Sequence, residues 1–446
     1  MVPHTLTVLA AIRPGEEPRL REILRPIGDD IGGGRSTQAA ARVRIEFTRS
    51  RRIHFARFAI LADPDRGPGR QRLLYSATYD GDLDSHLAEL TSITSDMDAI
   101  WGRCEAYAGA ASFARFIRAH ALEPAAFYIA FRDETVQSIQ DAIALRRQAE
   151  TLADSNPGSP FVSILSRLTS RSDSGDNVRR GLEAAVRFIV DGVRRLARGL
   201  PIVIDIIDVI VRYGFANALY AARKTTASLN RYTVIQWVNR LTDNRLPPRR
   251  SAYSSVPLDN CAPRAPIVPG DEVPSGPDAG LTSAFREDAV TQNQLTLVTV
   301  ITPGQVNKVR AVMAAIDALA KRLAPPGSLI GVSTIHFVKW LVLDEGRRLM
   351  MVSDYDGSWE SYIDEFAEMI LSGLDAIWET AYGYPPDGAR DVPAFKTFLR
   401  NHQVPSEVFF SAYPEETVLN MTNDQRFARA CADGIGGELQ TALQRL

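Results

Sequence analysis

Leu6-Thr-Val-Leu-Ala-Ala-Ile-Arg-Pro-Gly15 returns nearly three hundred residues later as Leu295-Thr-Leu-Val-Thr-Val-Ile-Thr-Pro-Gly304. Ile53-His-Phe55 returns as Ile335-His-Phe337, Tyr79-Asp-Gly81 as Tyr355-Asp-Gly357, and Asp98-Ala-Ile-Trp101 as Asp375-Ala-Ile-Trp378. Phe116-Ile-Arg-Ala-His120 is matched by Phe398-Leu-Arg-Asn-His402, and Glu134-Thr-Val136 by Glu416-Thr-Val418. The offset between copies drifts only from 289 to 276 to 282, so the order is kept with short insertions. A long unit present twice implies two similar domains rather than a solenoid.

Within one copy, Leu6 to Ile12 is a short apolar run closed by Pro14-Gly15, a strand and a turn. Glu17 to Ile31 carries Leu20, Ile23, Leu24 and Ile27 at helical spacing. Arg52–Leu61 and Leu73–Tyr79 read as a strand pair, and Asp84–Trp101 as a helix with a stripe of Leu87, Leu90, Ile93, Met97 and Ile100. A short helix over Ala111–Ala119, a strand at Phe127–Phe131 and a helix from about Thr135 to Thr151 complete the unit. The second copy repeats this order, from Leu295–Ile301 to Val408–Ala412. The pattern is α+β, and β-α-β-β-α-β is the ferredoxin-like arrangement.

The strands after the first helix are apolar on both faces. Strict alternation puts His54, Ala56, Phe58 and Ile60 on one face and Ile53, Phe55, Arg57, Ala59 and Leu61 on the other. The second copy divides likewise, with His336, Val338, Trp340 and Val342 set against Ile335, Phe337, Lys339, Leu341 and Leu343. A sheet apolar on both faces needs two covers. Helices supply one, and the other repeat's sheet is the nearest second. The expected architecture is two tandem ferredoxin-like repeats packed sheet to sheet, an intramolecular dimeric α+β barrel. The division is 1–151 for repeat 1, 152–245 for a helical insertion, 246–290 for a Pro-rich linker and 291–446 for repeat 2.

A length of 446 residues suits two or three domains, and a net charge of −2 gives no support for nucleic-acid binding as a bulk property. Three scattered cysteines, Cys104, Cys261 and Cys431, lack metal-site spacing and suggest reduced thiols in a cytoplasmic setting. The first strand pattern follows Met1 almost at once, which leaves no room for a secretory signal, and no run of 18 apolar residues predicts a spanning helix. Within the insertion, Arg187, Asp191, Arg194, Arg195 and Arg198 share roughly one helical face while Val186, Phe188, Ile189, Val190 and Val193 spread over the remainder, and Ile202–Val211 is nearly continuous apolar chain interrupted by Asp205 and Asp208. Residues 178–219 therefore read either as a helical hairpin packed on the barrel or as an interfacial amphipathic anchor on a membrane.

Four of the six histidines form repeated pairs, His54 with His336 and His120 with His402. The first pair sits mid-strand among apolar neighbours, where an imidazole needs a partner or a ligand. The second lies just past a helix ending in Arg118 or Arg400, where both groups suit capping of helix carbonyls. The Tyr-Asp-Gly motif reads as a turn, with a following Ser358 or a preceding Asp capping the next helix. G-x-G-x-x-G after a strand, the P-loop, G-x-S-x-G, H-E-x-x-H and C-x-x-C are all missing, which removes most nucleotide-using and serine-hydrolase readings.

The tandem units resemble the dimeric α+β barrel superfamily. The fused two-repeat plan is similar to dye-decolorising peroxidases and, unit by unit, to chlorite dismutases. The string from Ile335-His-Phe337 to Ser411-Ala-Tyr-Pro414 also resembles a bacterial family near such peroxidases. This resemblance implies a haem in the C-terminal repeat, held by a histidine and served by a distal Asp or Arg, in a peroxidase-like oxidoreductase. His402 and His336 are the candidates for haem-iron ligand, and His402, Arg400 and Asp356 the candidate catalytic set. His336, Trp340 and Tyr355 are the candidate cofactor-binding set. The G-x-x-D-G signature of those peroxidases is replaced here by Val352-Ser-Asp-Tyr-Asp-Gly357. The alternative is a non-catalytic barrel that binds an apolar small molecule or lipid between its sheets, lined by Phe58, Trp340, Tyr79 and Tyr355, with peripheral membrane contact through 178–219.

Overall fold

A computed structural model describes residues 3–31, 43–155 and 290–432, less 323, 325, 326, 330, 331 and 370. The insertion and linker expected over 152–290, including 178–219, lie outside the described residues except at their two ends. The first repeat contains β1 (Pro3–Ala11), α1 (Glu17–Ile31), β2 (Ile53–Ala62), β3 (Gln71–Asp80), α2 (Leu83–Ile93), α3 (Met97–Trp101), α4 (Phe113–His120), β4 (Ala126–Ile129) and α5 (Val136–Ser155). The second contains β5 (Gln292–Val300), α6 (Val306–Arg322), β6 (Ile335–Leu343), β7 (Arg348–Asp356), α7 (Trp359–Met369), α8 (Leu371–Trp378), α9 (Val392–Asn401), β8 (Ser406–Ser411) and α10 (Val418–Ala432).

The strands form two four-stranded antiparallel sheets, ordered β1-β3-β2-β8 and β4-β6-β7-β5. Each sheet thus takes three strands from one repeat and its fourth from the other. This differs from the expectation that each repeat closes its own sheet. The exchange is reciprocal: β8 pairs with β2 through Phe55↔Ser411 and Phe58↔Val408, and β4 pairs with β6 through Ala126↔Trp340 and Ile129↔Phe337.

Both central strands carry a bulge at the repeated histidine. Ile53 and Phe55 oppose the consecutive residues Tyr79 and Thr78, leaving His54 as the extra residue, and Ile335, His336 and Phe337 repeat this against Tyr355 and Asp354. A bulge resets the two-residue alternation, so the uninterrupted division of faces is corrected at its first positions. Ile53 joins Ala56, Phe58 and Ile60 in the core beneath α1, α2 and α4, while Phe55, Arg57, Ala59 and Leu61 address the opposite sheet. Across that interface Ala59, Leu61 and Leu74 pack with Leu341, Leu343, Met350 and Val352.

The helix expected over Asp84–Trp101 is two. Asp82 caps α2 by accepting from Ser85 N–H at 2.8 Å, Thr94 turns extended, and Asp96 opens α3 by accepting from Ala99 N–H at 3.0 Å. Gly81 and Gly357 take φ of +86° and +78°, so the Asp-Gly turn uses the left-handed conformation in both copies.

Candidate functional site

The bulges bring the repeated histidines to the ends of β3 and β7. His54 Nε2 meets Asp80 Oδ1 at 2.9 Å, and Asp80 Oδ2 accepts the Val136 N–H that starts α5, at 2.7 Å. His336 Nε2 meets Asp356 Oδ1 at 2.6 Å, and Asp356 Oδ2 accepts the Val418 N–H that starts α10, at 2.7 Å. Each carboxylate thereby binds a helix N-terminus, where negative charge is favoured, and fixes one imidazole. A carboxylate oxygen accepts, so each Nε2 donates its hydrogen to the Asp, and in that tautomer the ring presents Nδ1 as an acceptor.

The two Nδ1 atoms then diverge. Tyr413 OH lies 2.8 Å from His54 Nδ1, whereas His336 Nδ1 has no hydrogen-bond partner among the described residues. The cause is one residue of sequence. Ala412 N–H bonds His54 C=O at 2.9 Å and is followed by Tyr413; Ala130 N–H bonds His336 C=O at 2.9 Å and is followed by Phe131. Burial pushes the Tyr413 phenol well above its ordinary value, with the charges of Asp80 and Asp354 adding.

Around these groups the rings interlock. His54 lies 5.4 Å from Phe337, His336 5.3 Å from Phe55, and the two phenylalanines 5.4 Å from each other. Tyr413 stands 6.1 Å from His54 and 6.2 Å from His336. Both histidines are fully buried. A His–Asp pair in a low-dielectric interior has the components of a general base, but here aromatic side chains fill the space beside its remaining nitrogen.

A second constellation crosses between the sheets. Arg57 of β2 donates through Nη1 to Gln294 Oε1 and Leu295 C=O at 3.1 Å and to Thr296 Oγ1 at 3.2 Å. Through Nη2 it donates to Ser353 C=O at 2.9 Å and to Asp354 Oδ1. Lys339, its counterpart on β6, donates the other way, to Thr5 Oγ1, to Leu6 C=O at 3.2 Å and to Ala77 C=O at 3.4 Å. All three charged residues are at most 5% exposed. Of the two cations only Arg57 has a carboxylate partner among the described residues, because Asp354 corresponds to Thr78 in the first repeat. Burial pushes the Lys339 ammonium down to about 7, with the Arg57 charge adding and Asp354 opposing. Burial pushes Asp354 up, opposed chiefly by Arg57.

Of the candidate set His402, Arg400 and Asp356, the structure keeps the first two together and separates the third. His402 follows α9 and its Nδ1 donates to Phe398 C=O at 2.7 Å, as His120 Nδ1 does to Phe116 C=O at 2.8 Å, so both rings cap helix carbonyls. The Arg400 guanidinium sits 3.6 Å above the Trp359 ring. His402 C=O accepts from Val298 N–H, whereas Asp356 pairs with Gln292 on the same strand. At about 3.3 Å per residue, the roughly six-residue separation places the two about 20 Å apart along β5.

Of the cofactor set, Tyr355 stacks on Tyr362 of α7 at 3.8 Å, and Trp340 lies opposite Ala126 on the helix-covered face. Phe58 and Tyr79 likewise face helices, Tyr79 stacking on His86 at 4.0 Å. None of the four proposed barrel-lining rings therefore lies between the sheets. The residues named for haem do not fit that group. His336 is held at Nε2 by Asp356 itself and walled by Phe55 and Tyr413, and His402 Nδ1 is spent on the Phe398 carbonyl. Among the described residues no cluster of three or more His, Cys, Asp or Glu is arranged for a metal ion.

Arg57, Lys339, Asp354 and Tyr413 escaped the sequence reading as site residues. The signal for the first two was present, a cation at the same repeat position inside an otherwise apolar strand. Comparison with protein-family models, with curated proteins and with solved structures gives no match to this chain. The fold and site define an internally duplicated, strand-exchanged α+β protein with paired buried His–Asp units.

Proposed function

We propose that this chain is a non-catalytic α+β barrel of two ferredoxin-like repeats, which carries the segment joining them to an anionic lipid surface. What supports a non-catalytic body is the consumption of its reactive side chains by its own fold. Asp80 and Asp356 are each shared between an imidazole and a helix N-terminus, and the cations between the sheets are bonded to main-chain carbonyls of the opposite sheet. A catalytic group has to meet substrate; these meet backbone. What supports lipid as the partner is the composition of the joining segment. Residues 160–250 hold sixteen Lys and Arg against seven Asp and Glu, although the whole chain is at −2, and they include the apolar run Ile202–Val211. Cations beside aliphatic chain suit an anionic lipid interface, at on the order of 1 kcal/mol per basic residue. Among the described residues no helix is long and apolar enough to cross a membrane.

The test is flotation of the full chain with phosphatidylserine-containing vesicles. Binding that weakens from 0.05 to about 0.5 M salt, and is lost when Arg187, Arg194, Arg195 and Arg198 are replaced by Gln, is the expected result. A wild-type protein that stays at the bottom of the gradient at every salt concentration overturns the lipid reading. A Soret band from stoichiometric haem in the purified chain overturns the non-catalytic one.

A further inference from the structure

We infer that the two repeats are completed only by one another, and that they remain a single folded body after the chain between them is cut. The partner that fits the open edge and the inter-sheet face of each repeat is the other repeat, held non-covalently.

The argument starts from the sheet edges. Without β8, the stretch of β2 from Phe55 to Ala59 loses its ladder, and without β4, β6 loses its partner from Phe337 to Trp340. Unpaired N–H and C=O groups in a covered sheet are costly. Each donated strand is also gripped by a helix of the receiving repeat. Gly28 of α1 lies so close to β8 that a Cβ built there falls 2.3 Å from Glu407 C=O, so only glycine allows the approach, and Arg21 of α1 pairs with the Glu407 side chain. In the mirror position Asp317 of α6 accepts from Phe127 N–H at 3.3 Å, and Arg132, just past β4, donates to carbonyls near the end of α6.

Further ties cross between the repeats, the inter-sheet cations and the last helices in both directions and Tyr413 in one. Arg57 reaches the second repeat and Lys339 the first. Val136 N–H and Val418 N–H each close on the carboxylate of their own repeat, while Tyr413 crosses to His54. The helices that follow the exchanged strands pair as well. Arg146 of α5 meets Glu416 at 2.7 Å and Asp424 at 2.9 Å, Arg429 of α10 meets Glu134, and Gln425 donates to Ser138 C=O at 3.1 Å. Every one of these ties joins described residues, so none depends on residues 156–289. Neither repeat has a closed core of its own: Val408 and Phe410 of the second belong to the core of the first, and Ala126, Tyr128 and Phe131 of the first belong to the core of the second.

The experiment uses the full chain with a recognition site for a sequence-specific protease inserted between residues 246 and 280, cut only after folding. The cut protein is expected to elute as one species carrying both fragments in equal amounts. It should melt in one transition whose midpoint falls by roughly 2–5 °C for each tenfold dilution, because unfolding now separates two molecules. The uncut chain should show no such dependence. Isotopically distinguishable cut samples, denatured together and diluted, should return mixed pairs. Fragments that part on gel filtration, folded or unfolded, overturn the inference, and so does a cut protein with two transitions that ignore concentration. These readouts need no vesicles, so their failure is distinct from failure of the lipid reading.

Discussion

Replacing Tyr413 by Phe removes one oxygen and nothing else, at a place where the molecule carries its own control. In the native protein the phenol OH satisfies His54 Nδ1 at 2.8 Å inside a ring cluster where Tyr413 is 3% exposed. Its loss leaves a buried acceptor without a donor. A buried group left unsatisfied costs about 1–3 kcal/mol, whereas the removed hydroxyl no longer has to be desolvated, and a Phe in the same volume leaves no cavity. The expected net loss is about 1–2 kcal/mol, a fall of roughly 2–6 °C in midpoint for a body of this size. The control is the other repeat, where Phe131 already occupies the equivalent position and His336 Nδ1 already lacks a partner among the described residues. Phe131→Tyr should therefore be neutral or stabilising by up to about 1 kcal/mol. Urea unfolding of both variants, with the slope unchanged, measures the two energies, and imidazole ¹⁵N shifts report whether His54 Nδ1 has lost its hydrogen bond. A Tyr413→Phe protein as stable as wild type, or one whose His54 signals do not move, refutes the assignment of the hydroxyl to that nitrogen.

Asp354→Asn leaves Arg57 buried without its counter-charge and should cost about 3–5 kcal/mol, read by denaturant unfolding; a loss below 1 kcal/mol means that the guanidinium reaches water. Lys339 sits in the fold near 7 against an ordinary 10.5, so between those values the unfolded chain holds a proton that the folded one has released, and stability rises with pH across that window. Lys339→Met should flatten this rise, which a series of unfolding curves from pH 6 to 10 will show or fail to show. His402→Ala removes a helix-capping ring and should lower stability by about 1 kcal/mol, leaving vesicle binding of the full chain unchanged; altered flotation would tie α9 to the lipid contact.

The duplication made the element order legible. α1 matches its expected bounds and β2 misses by one residue at each end, because the apolar periodicity of one repeat is checked by the other. What the sequence left hidden is non-local. A β-α-β-β-α-β order is the same whether the last strand closes its own sheet or its neighbour's, and the choice rests on β8 meeting α1 at Gly28, a contact between residues almost four hundred apart. The bulges were hidden for a related reason. Alternation along Ile53-His-Phe55 is readable, but the slip to two residues against one is set by the partner strand.

At the site, the repeated Ile-His-Phe and Tyr-Asp-Gly motifs were the right residues read one at a time, and the structure joins them: His54 with Asp80, His336 with Asp356. A structural need is duplicated along with the sequence, so identity between the copies marks what the fold requires twice. Differences between the copies carry the other kind of information. Arg57 against Lys339, Asp354 against Thr78 and Tyr413 against Phe131 all fall within the inter-sheet interior, and they unbalance it in one direction. Among the described residues the arginine keeps a carboxylate and the lysine does not; one histidine is satisfied at both nitrogens and the other at one. An interior built from two similar halves has diverged at its buried charges. The energetic consequences of that divergence, a lysine near neutrality and an imidazole nitrogen without a donor, are therefore concentrated in the second repeat's central strand, β6.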